Sequence, residues 1–173
     1  MSLKAKLVSS VAAFCLVLAL LVVGILAVPQ ATINMGGSIS FQATDVNATV
    51  NITVTGTDEE EQPSKSYTFN ADTDTQPEAW TGLNWNFGEG REIVVTITVT
   101  NKDTVRQLDV DFTAPADMAA SNVTVSTTGE DTTLAAKNGS VTYTIKFVPA
   151  DENLAVTNAS WTAALVLTNH TGA

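Results

Sequence analysis

The sequence has few of the residues that enzymes and metal proteins commonly use. It contains one cysteine, Cys15, and one histidine, His170, among 173 residues. An internal disulfide cannot form, and one thiol and one imidazole are too few for the usual zinc sites, while Cys15 lies within an apolar run and cannot serve as a nucleophile of the remaining chain. We interpret His170 as a solvated residue of a loose tail. We predict that the protein is not an enzyme, has no catalytic residues and binds no cofactor.

Positive charge is also scarce. The chain has 8 basic and 18 acidic residues, which gives a net charge of −10 at pH 7. Lys4 and Lys6 precede residue 28 and every acidic residue follows it, so residues 28–173 carry 6 − 18 = −12. Such a surface repels phosphate backbones and anionic lipids, which argues against nucleic acids and membrane surfaces as partners.

Long apolar runs are confined to one place, residues 7–28, directly after the two lysines. A basic start followed by an apolar run is typical of a secretory signal peptide, which passes through the membrane as a hydrophobic helix. We predict cleavage between Ala27 and Val28, so that residues 1–27 are the signal peptide and residues 28–173 a single domain. A retained anchor is the alternative, because about 20 apolar residues span a bilayer. In that case the leader would be the only membrane contact.

Apolar and polar residues alternate along much of the remaining chain, as expected of strands with one buried face. The clearest runs are VNATVNITVT, REIVVTITVT, QLDVDFTA, SVTYTIKFV and SWTAALVLT. No segment after the leader has helical periodicity. We predict an all-β fold, an antiparallel jelly-roll-like β-sandwich of about eight or nine strands, preceded by the hydrophobic signal helix. The polar segments NKDT and KNGS indicate hairpin turns, and Asn138-Gly139 tolerates the positive φ of a tight turn.

One acidic segment, NADTDTQPE, is similar to the start of a calcium-binding loop. Asn70, Asp72 and Asp74 occur at every second residue, and Glu78 follows them. The loop requires glycine where Thr75 stands, and it requires a final bidentate glutamate that is missing here. We therefore predict no metal site, and we keep these four residues as the calcium candidate against an ordinary acidic loop.

Two other groups of residues suggest carbohydrate chemistry. Trp80, Trp85 and Trp161 are aromatic side chains of the kind that line sugar-binding platforms, although Trp161 alternates with core residues and is expected to be buried. Asp109 and Asp111 share one face of a predicted strand, about 7 Å apart. Carboxylates at such a distance can serve a glycosidase, but we interpret this pair as a solvated strand face, because no third group supports a site.

A central stretch, LNWNFGEGREIVVTITVTNKDTVRQLDVDFT, resembles the TasA/camelysin group of secreted biofilm-matrix proteins. The shared pattern is an aromatic segment, a glycine-bearing turn, an alternating strand, a turn that begins with asparagine, and another strand. The leader followed by GGSISFQATDV is also similar to the start of these proteins, which a dedicated signal peptidase often exports. The turn reads GEGRE where the group commonly has KPGD. Camelysin is associated with metal-dependent proteolysis, for which this sequence has no metal ligands.

The resemblance implies a secreted or cell-surface structural protein, a biofilm-matrix fibre subunit that polymerises head to tail with copies of itself. Each subunit would donate its N-terminal strand to the next. The alternative is a monomeric secreted β-sandwich that acts as an adhesin and binds cell-surface or matrix glycans. The donor strand would lie within residues 31–41, and its candidate residues are Ile33, Met35, Gly36, Gly37, Ile39 and Phe41. Gly36-Gly37 would serve there as a hinge or as a site of close approach.

Overall fold

The computed structural model describes residues 34–56, 64–71, 79–81, 85–86, 92–118, 122–150 and 159–170. They belong to one compact unit, Ala31–Ala173. All regular structure in these ranges is β, which confirms the all-β prediction. The eleven described strands are β1 (Asn34–Thr44), β2 (Ala48–Thr55), β3 (Lys65–Phe69), β4 (Trp80–Thr81), β5 (Trp85–Asn86), β6 (Ile93–Asn101), β7 (Leu108–Thr113), β8 (Val123–Thr128), β9 (Thr132–Leu134), β10 (Ser140–Pro149) and β11 (Ala159–Asn169).

The described strands form two sheets that share one hydrophobic core. The six-stranded sheet has the order β4-β1-β11-β7-β9, with β5 also paired to β1, and the five-stranded sheet has the order β3-β2-β6-β10-β8. Rings from the two sheets meet across the core, where the centroid of Phe147 in β10 lies 5.1 Å from that of Trp161 in β11. The sheets therefore pack face to face as a sandwich. Strands β4 and β9 raise the number above the prediction because they are too short to show alternation.

The predicted alternation produces the core. In β6 every second residue from Ile93 to Val99 is buried, and β10 and β11 follow the same pattern. Full burial of one such apolar side chain contributes roughly 1.5–3 kcal/mol. The opposite face of β6 and β10 carries mainly threonine, and the hydroxyl oxygens of Thr98 and Thr142 lie 3.3 Å apart on it. A strand with these two faces is stable only when a second sheet covers its apolar side.

One strand pair corrects the expectation of a wholly antiparallel sandwich. β1 and β11 run parallel, in a register of ten successive pairs from Met35 opposite Ala159 to Thr44 opposite Thr168. The other described pairs are antiparallel. Parallel neighbours require a long connection, and here the intervening strands supply it. The last described strand, β11, therefore lies beside the first, β1, and runs in the same direction.

The segments NKDT and KNGS are not the hairpin turns that the sequence predicts. NKDT joins β6 of one sheet to β7 of the other, and KNGS joins β9 to β10 across the same gap. Positive φ occurs at Lys137 (62°) and Asn138 (73°), one residue earlier than expected. Gly139 instead lets two backbone segments lie close together, because a Cβ there would lie 2.4 Å from the carbonyl oxygen of Ala135.

The predicted signal peptide, residues 1–27, and its cleavage site at Ala27 and Val28 lie outside the described residues. Among the residues that are described, there is no helix long and apolar enough to cross a membrane.

Candidate strand-exchange site

The first strand occupies an interior position of its sheet, which we call the β1 slot. On one side of the slot β11 pairs along nearly the whole of β1. On the other side the described pairs are only those of Ser38 and Ile39 with β4 and of Asn34 and Met35 with β5. Among the described strands, β11 therefore forms most of the ladder that holds β1, and the opposite side of the slot is lightly closed.

The predicted donor residues alternate in the slot as the sequence indicates. Met35 and Ile39 are fully buried in the core. The ring of Phe41 packs against β3 of the other sheet, with centroids 4.7 Å from Tyr67 and 5.8 Å from Phe69. Ile33 lies outside the described residues. An empty slot would expose the apolar surface that these side chains now cover. Because burying one such side chain contributes roughly 1.5–3 kcal/mol, leaving the slot empty would be costly.

Gly37 is a point of close approach between β1 and the core. It lies opposite Trp161 in the register, and a Cβ at position 37 would lie 2.0 Å from Cε2 and 2.2 Å from Nε1 of the indole. The same indole packs 6.1 Å from the ring of Trp80 and 5.1 Å from that of Phe147. Of the two roles predicted for the Gly36-Gly37 pair, the structure shows close approach at Gly37.

The far end of β1 is tied to the β6–β7 connection and to the end of β11 by a group of polar residues that we call the end latch: Asp45, Asp103, Arg106 and Asn169. Nη1 of Arg106 donates to Oδ2 of Asp45 at 2.9 Å, and Nε of Arg106 donates to Oδ2 of Asp103 at 2.8 Å. Nδ2 of Asn169, at the end of β11, donates to the carbonyl oxygen of Asp45. Asp45 itself has a positive φ of 55°. The latch thus fixes the residue at which the chain leaves β1.

Asn101, a buried residue at the end of β6, holds the connection that carries Asp103 and Arg106 of the latch. Asn101 is 1% exposed, and its Nδ2 donates to the carbonyl oxygens of Arg106 (2.9 Å) and Ala135 (3.2 Å). Its Oδ1 accepts from the backbone N–H of Asp103 at 2.9 Å. Buried polar groups are costly unless they are paired, so these bonds fix the path of the β6–β7 connection. The signal that could have found this site is the Asn and Asp content of NKDT, since such side chains commonly bond to nearby backbone.

The electrostatics of the latch favour its charged form. Oδ1 of Asp103 accepts from the backbone N–H groups of Val105 (2.8 Å) and Arg106 (2.9 Å). These two backbone bonds, followed by the bond from the Arg106 side chain, hold the pKa of Asp103 well below its ordinary value. The carboxylates of Asp103 and then Asp45 raise the pKa of Arg106. The latch thus pairs an ionised Asp103 carboxylate with the charged guanidinium of Arg106.

The calcium candidate is not tested by the described residues. Asn70 is described and exposed, whereas Asp72, Asp74 and Glu78 lie outside the described ranges. Within those ranges, no group of three or more His, Cys, Asp or Glu side chains is placed to hold a metal ion.

His170 is not the loose tail residue that the sequence suggests. Its backbone N–H donates to the carbonyl oxygen of Gln107 at 3.0 Å, and its Nδ1 lies 2.9 Å from the carboxylate of Asp109. The same carboxylate accepts from the Thr133 hydroxyl at 2.5 Å. The Thr133 hydroxyl, and after it His170, lower the pKa of Asp109. Asp109 is thus engaged in joining β7, β9 and the end of β11, rather than standing free beside Asp111 as one of an acid pair.

The sugar-platform interpretation is not supported by the tryptophans whose side chains are described. Trp80 is 6% exposed and Trp161 is 4% exposed. Their rings face each other and the core, so neither presents a face to a ligand in solvent. The side chain of Trp85 is not among those that the structure describes.

No protein-family model matches the chain, and no curated protein matches it. Its function is therefore inferred from the β1 slot, the end latch and the resemblance in the sequence.

Proposed function

We propose that the protein is a secreted structural subunit of an extracellular biofilm-matrix fibre, which polymerises head to tail when each copy donates β1 to the β1 slot of the next. One observation carries this proposal: β1 fills an interior slot through ten pairs with β11, yet only the short link Asp45–Asn47 connects it to β2. Strand addition of this kind gains affinity from backbone bonds and specificity from alternate side chains.

Exchange between copies conserves the contacts of β1. A neighbour's β1 in the slot would make the same ladder with β11 and bury the same Met35 and Ile39 side chains. The free energies of β1 in its own slot and in a neighbour's slot then differ only through the link, the latch and the local concentration of strands. For this reason, swapping an identical element between copies is a low-cost route to association. Because a donor end and an acceptor slot lie on every copy, the contact is heterologous, and in this proposal successive copies do not close into a ring but extend as a filament.

The other features of the chain are consistent with a soluble extracellular subunit. The net charge of residues 28–173, 6 − 18 = −12, favours solubility and opposes association with nucleic acids. In this proposal the partners are other copies of the chain, no cofactor takes part, no reaction is catalysed, and the leader makes the only membrane contact. The comparison with a jelly roll belongs to the same proposal and is supported by the repeated passage of the chain between the sheets. The alternative, a monomeric glycan-binding adhesin, gains no support from the two buried tryptophans.

A reversible covalent lock tests the proposal. Ser38 of β1 lies opposite Thr162 of β11, on the face away from the core. Adjacent strands are about 4.8 Å apart, which suits a disulfide. The unit Ala31–Ala173 contains no cysteine, so the variant S38C/T162C carries only the designed pair. We expect its oxidised monomer to form no fibres by electron microscopy, and we expect reduction to restore them.

The matched control is T98C/T142C, a registered pair of β6 and β10 that leaves β1 free. It should form fibres both oxidised and reduced. Fibres from the fully oxidised S38C/T162C monomer would contradict strand exchange. The same conclusion would follow if the unmodified unit remained monomeric at all concentrations.

A further inference from the structure

The core-facing positions of β1 have a distinctive order of side-chain sizes. Met35, Ile39 and Ala43 are buried, and between the first two stands Gly37, directly under the indole of Trp161. A Cβ at that position would approach three indole atoms to 2.0–2.4 Å, well inside van der Waals contact. The indole is itself confined by the rings of Trp80 and Phe147. It therefore cannot move aside without disturbing the centre of the core.

This arrangement allows only one register. A slip of one residue would turn every apolar side chain of β1 outward, so the smallest slip that keeps the faces is two residues. A slip of two in either direction would place Met35 or Ile39 against Trp161, where there is no space even for a methyl group. Backbone pairing with β11 does not prevent such a slip, because ladder hydrogen bonds are the same at every second residue.

We infer that Trp161 determines which strand enters the β1 slot and in which register, and that the strand it selects is the Gly37-containing segment 34–44 of a second copy of this chain. Among the described strands, β1 alone contains glycine. No other described strand of a neighbour could therefore enter the slot without a side chain meeting the indole. The inference rests on the proposed strand exchange, and it adds the residue pair that makes the exchange specific.

The test uses single-cysteine variants of the unit Ala31–Ala173, mixed in pairs, so that every mixed disulfide joins two copies. Donors carry S38C. Acceptors carry S160C, T162C or A164C, which lie opposite Gly36, Ser38 and Ser40 on the outward face of β11. Fibres assembled from each mixture are oxidised, digested and analysed by mass spectrometry for the peptide in which the donor cysteine is joined to the acceptor cysteine. We expect the joined peptide with T162C and not with the other two.

A second donor then tests the role of the glycine. Adding Gly37→Ala to the S38C donor should lower the yield of the T162C product at least about tenfold, as expected from overpacking. The matched donor with Gly36→Ala should give the same yield of the T162C product as the S38C donor, because position 36 faces away from the indole. Acceptors that carry Trp161→Phe should restore the product with the Gly37→Ala donor, which separates loss of fit from loss of folding.

The outcomes distinguish the two proposals. Products with S160C or A164C, or an undiminished T162C product from the Gly37→Ala donor, would overturn the register role of Trp161 while leaving strand exchange intact. Lack of restoration by the Trp161→Phe acceptor would also overturn it. If none of the three acceptors gives a product with the donor that retains Gly37, strand exchange itself is wrong, and the register inference falls with it.

Discussion

Nη1 of Arg106 lies 2.9 Å from Oδ2 of Asp45, which joins the β6–β7 connection to the residue that follows β1. The two residues are 61 positions apart in the chain. The Arg106 side chain is 40% exposed and that of Asp45 is 61% exposed, so solvent and salt screen the pair. Its importance therefore lies in its position: it holds the point about which β1 must turn to leave its own slot.

Arg106→Ala should loosen the end of β1. We expect faster amide hydrogen exchange at Ala43 and Thr44 and faster fibre growth, because Asp45 loses its guanidinium partner. The control is Lys146→Ala, which removes an exposed ion pair with Glu92 away from the latch. Equal exchange rates at β1 in the Arg106 and Lys146 variants would show that the latch does not restrain the strand.

Asp103→Asn should reduce the sensitivity of the fold to acid. The pKa of Asp103 in the folded chain is below its ordinary value of 3.8, because backbone and arginine N–H groups bind the carboxylate. Its contribution to stability is therefore complete above about pH 4 and is lost as the pH falls toward the folded-state pKa. Near neutral pH the variant should melt at a lower temperature than the parent, and the difference should shrink as the pH falls. Melting curves that stay equally separated at all pH values would contradict this.

Gly37→Ala should destabilise the unit by about 2 kcal/mol or more, since the added methyl overlaps the indole of Trp161. In a Trp161→Phe background the same substitution should cost less, by about 1 kcal/mol or more, because phenylalanine lacks the atoms that it meets. Urea denaturation of the four chains in this cycle measures the coupling. Gly36→Ala is the control and should change stability by less than about 1 kcal/mol. Additive costs in the cycle would show that the two positions do not compete for space.

Tyr143 should titrate at unusually high pH. Burial raises its pKa to about 12, and the negative charges of Asp131 and Asp111 act in the same direction. Because the folded chain holds this proton more tightly than the unfolded chain, stability should fall as the pH rises from about 10 to about 12. The variant Tyr67→Phe leaves Tyr143 as the one tyrosine, so absorbance of tyrosinate near 295 nm reports it directly. A midpoint near 10 would contradict the burial effect.

Local periodicity was sufficient to predict the faces of the long strands. In β6, the residues Ile93, Val95, Ile97 and Val99 are buried as their spacing of two requires. The same rule identified Met35 and Ile39 as core-facing residues of β1. It could not reveal β9, which has three residues and one buried side chain, Leu134. A period of two needs more positions than that to be recognised.

The same rule could not predict which strands pair with each other. Alternation specifies a face and leaves the partner open, so the parallel pairing of β1 with β11 had no local signal. The latch is similar, because nothing near Asp45 in the sequence indicates Arg106. NKDT carried the composition of a turn, yet its role depends on Asn101 binding the backbone of Ala135 in another connection and on Asp103 binding the backbone of its own. The Gly36-Gly37 pair was noticed, but only the position of Trp161 shows which glycine matters and why.

The parallel direction of β1 and β11 also has a mechanical consequence. Tension applied through the residues before Asn34 and after Asn169 would pull the two strands in opposite directions along their common axis. The load would then be shared by the whole ladder, which must break together, whereas antiparallel neighbours pulled from adjacent ends separate one bond at a time. The sandwich is therefore built to resist stretching along this axis, whichever copy supplies its first strand.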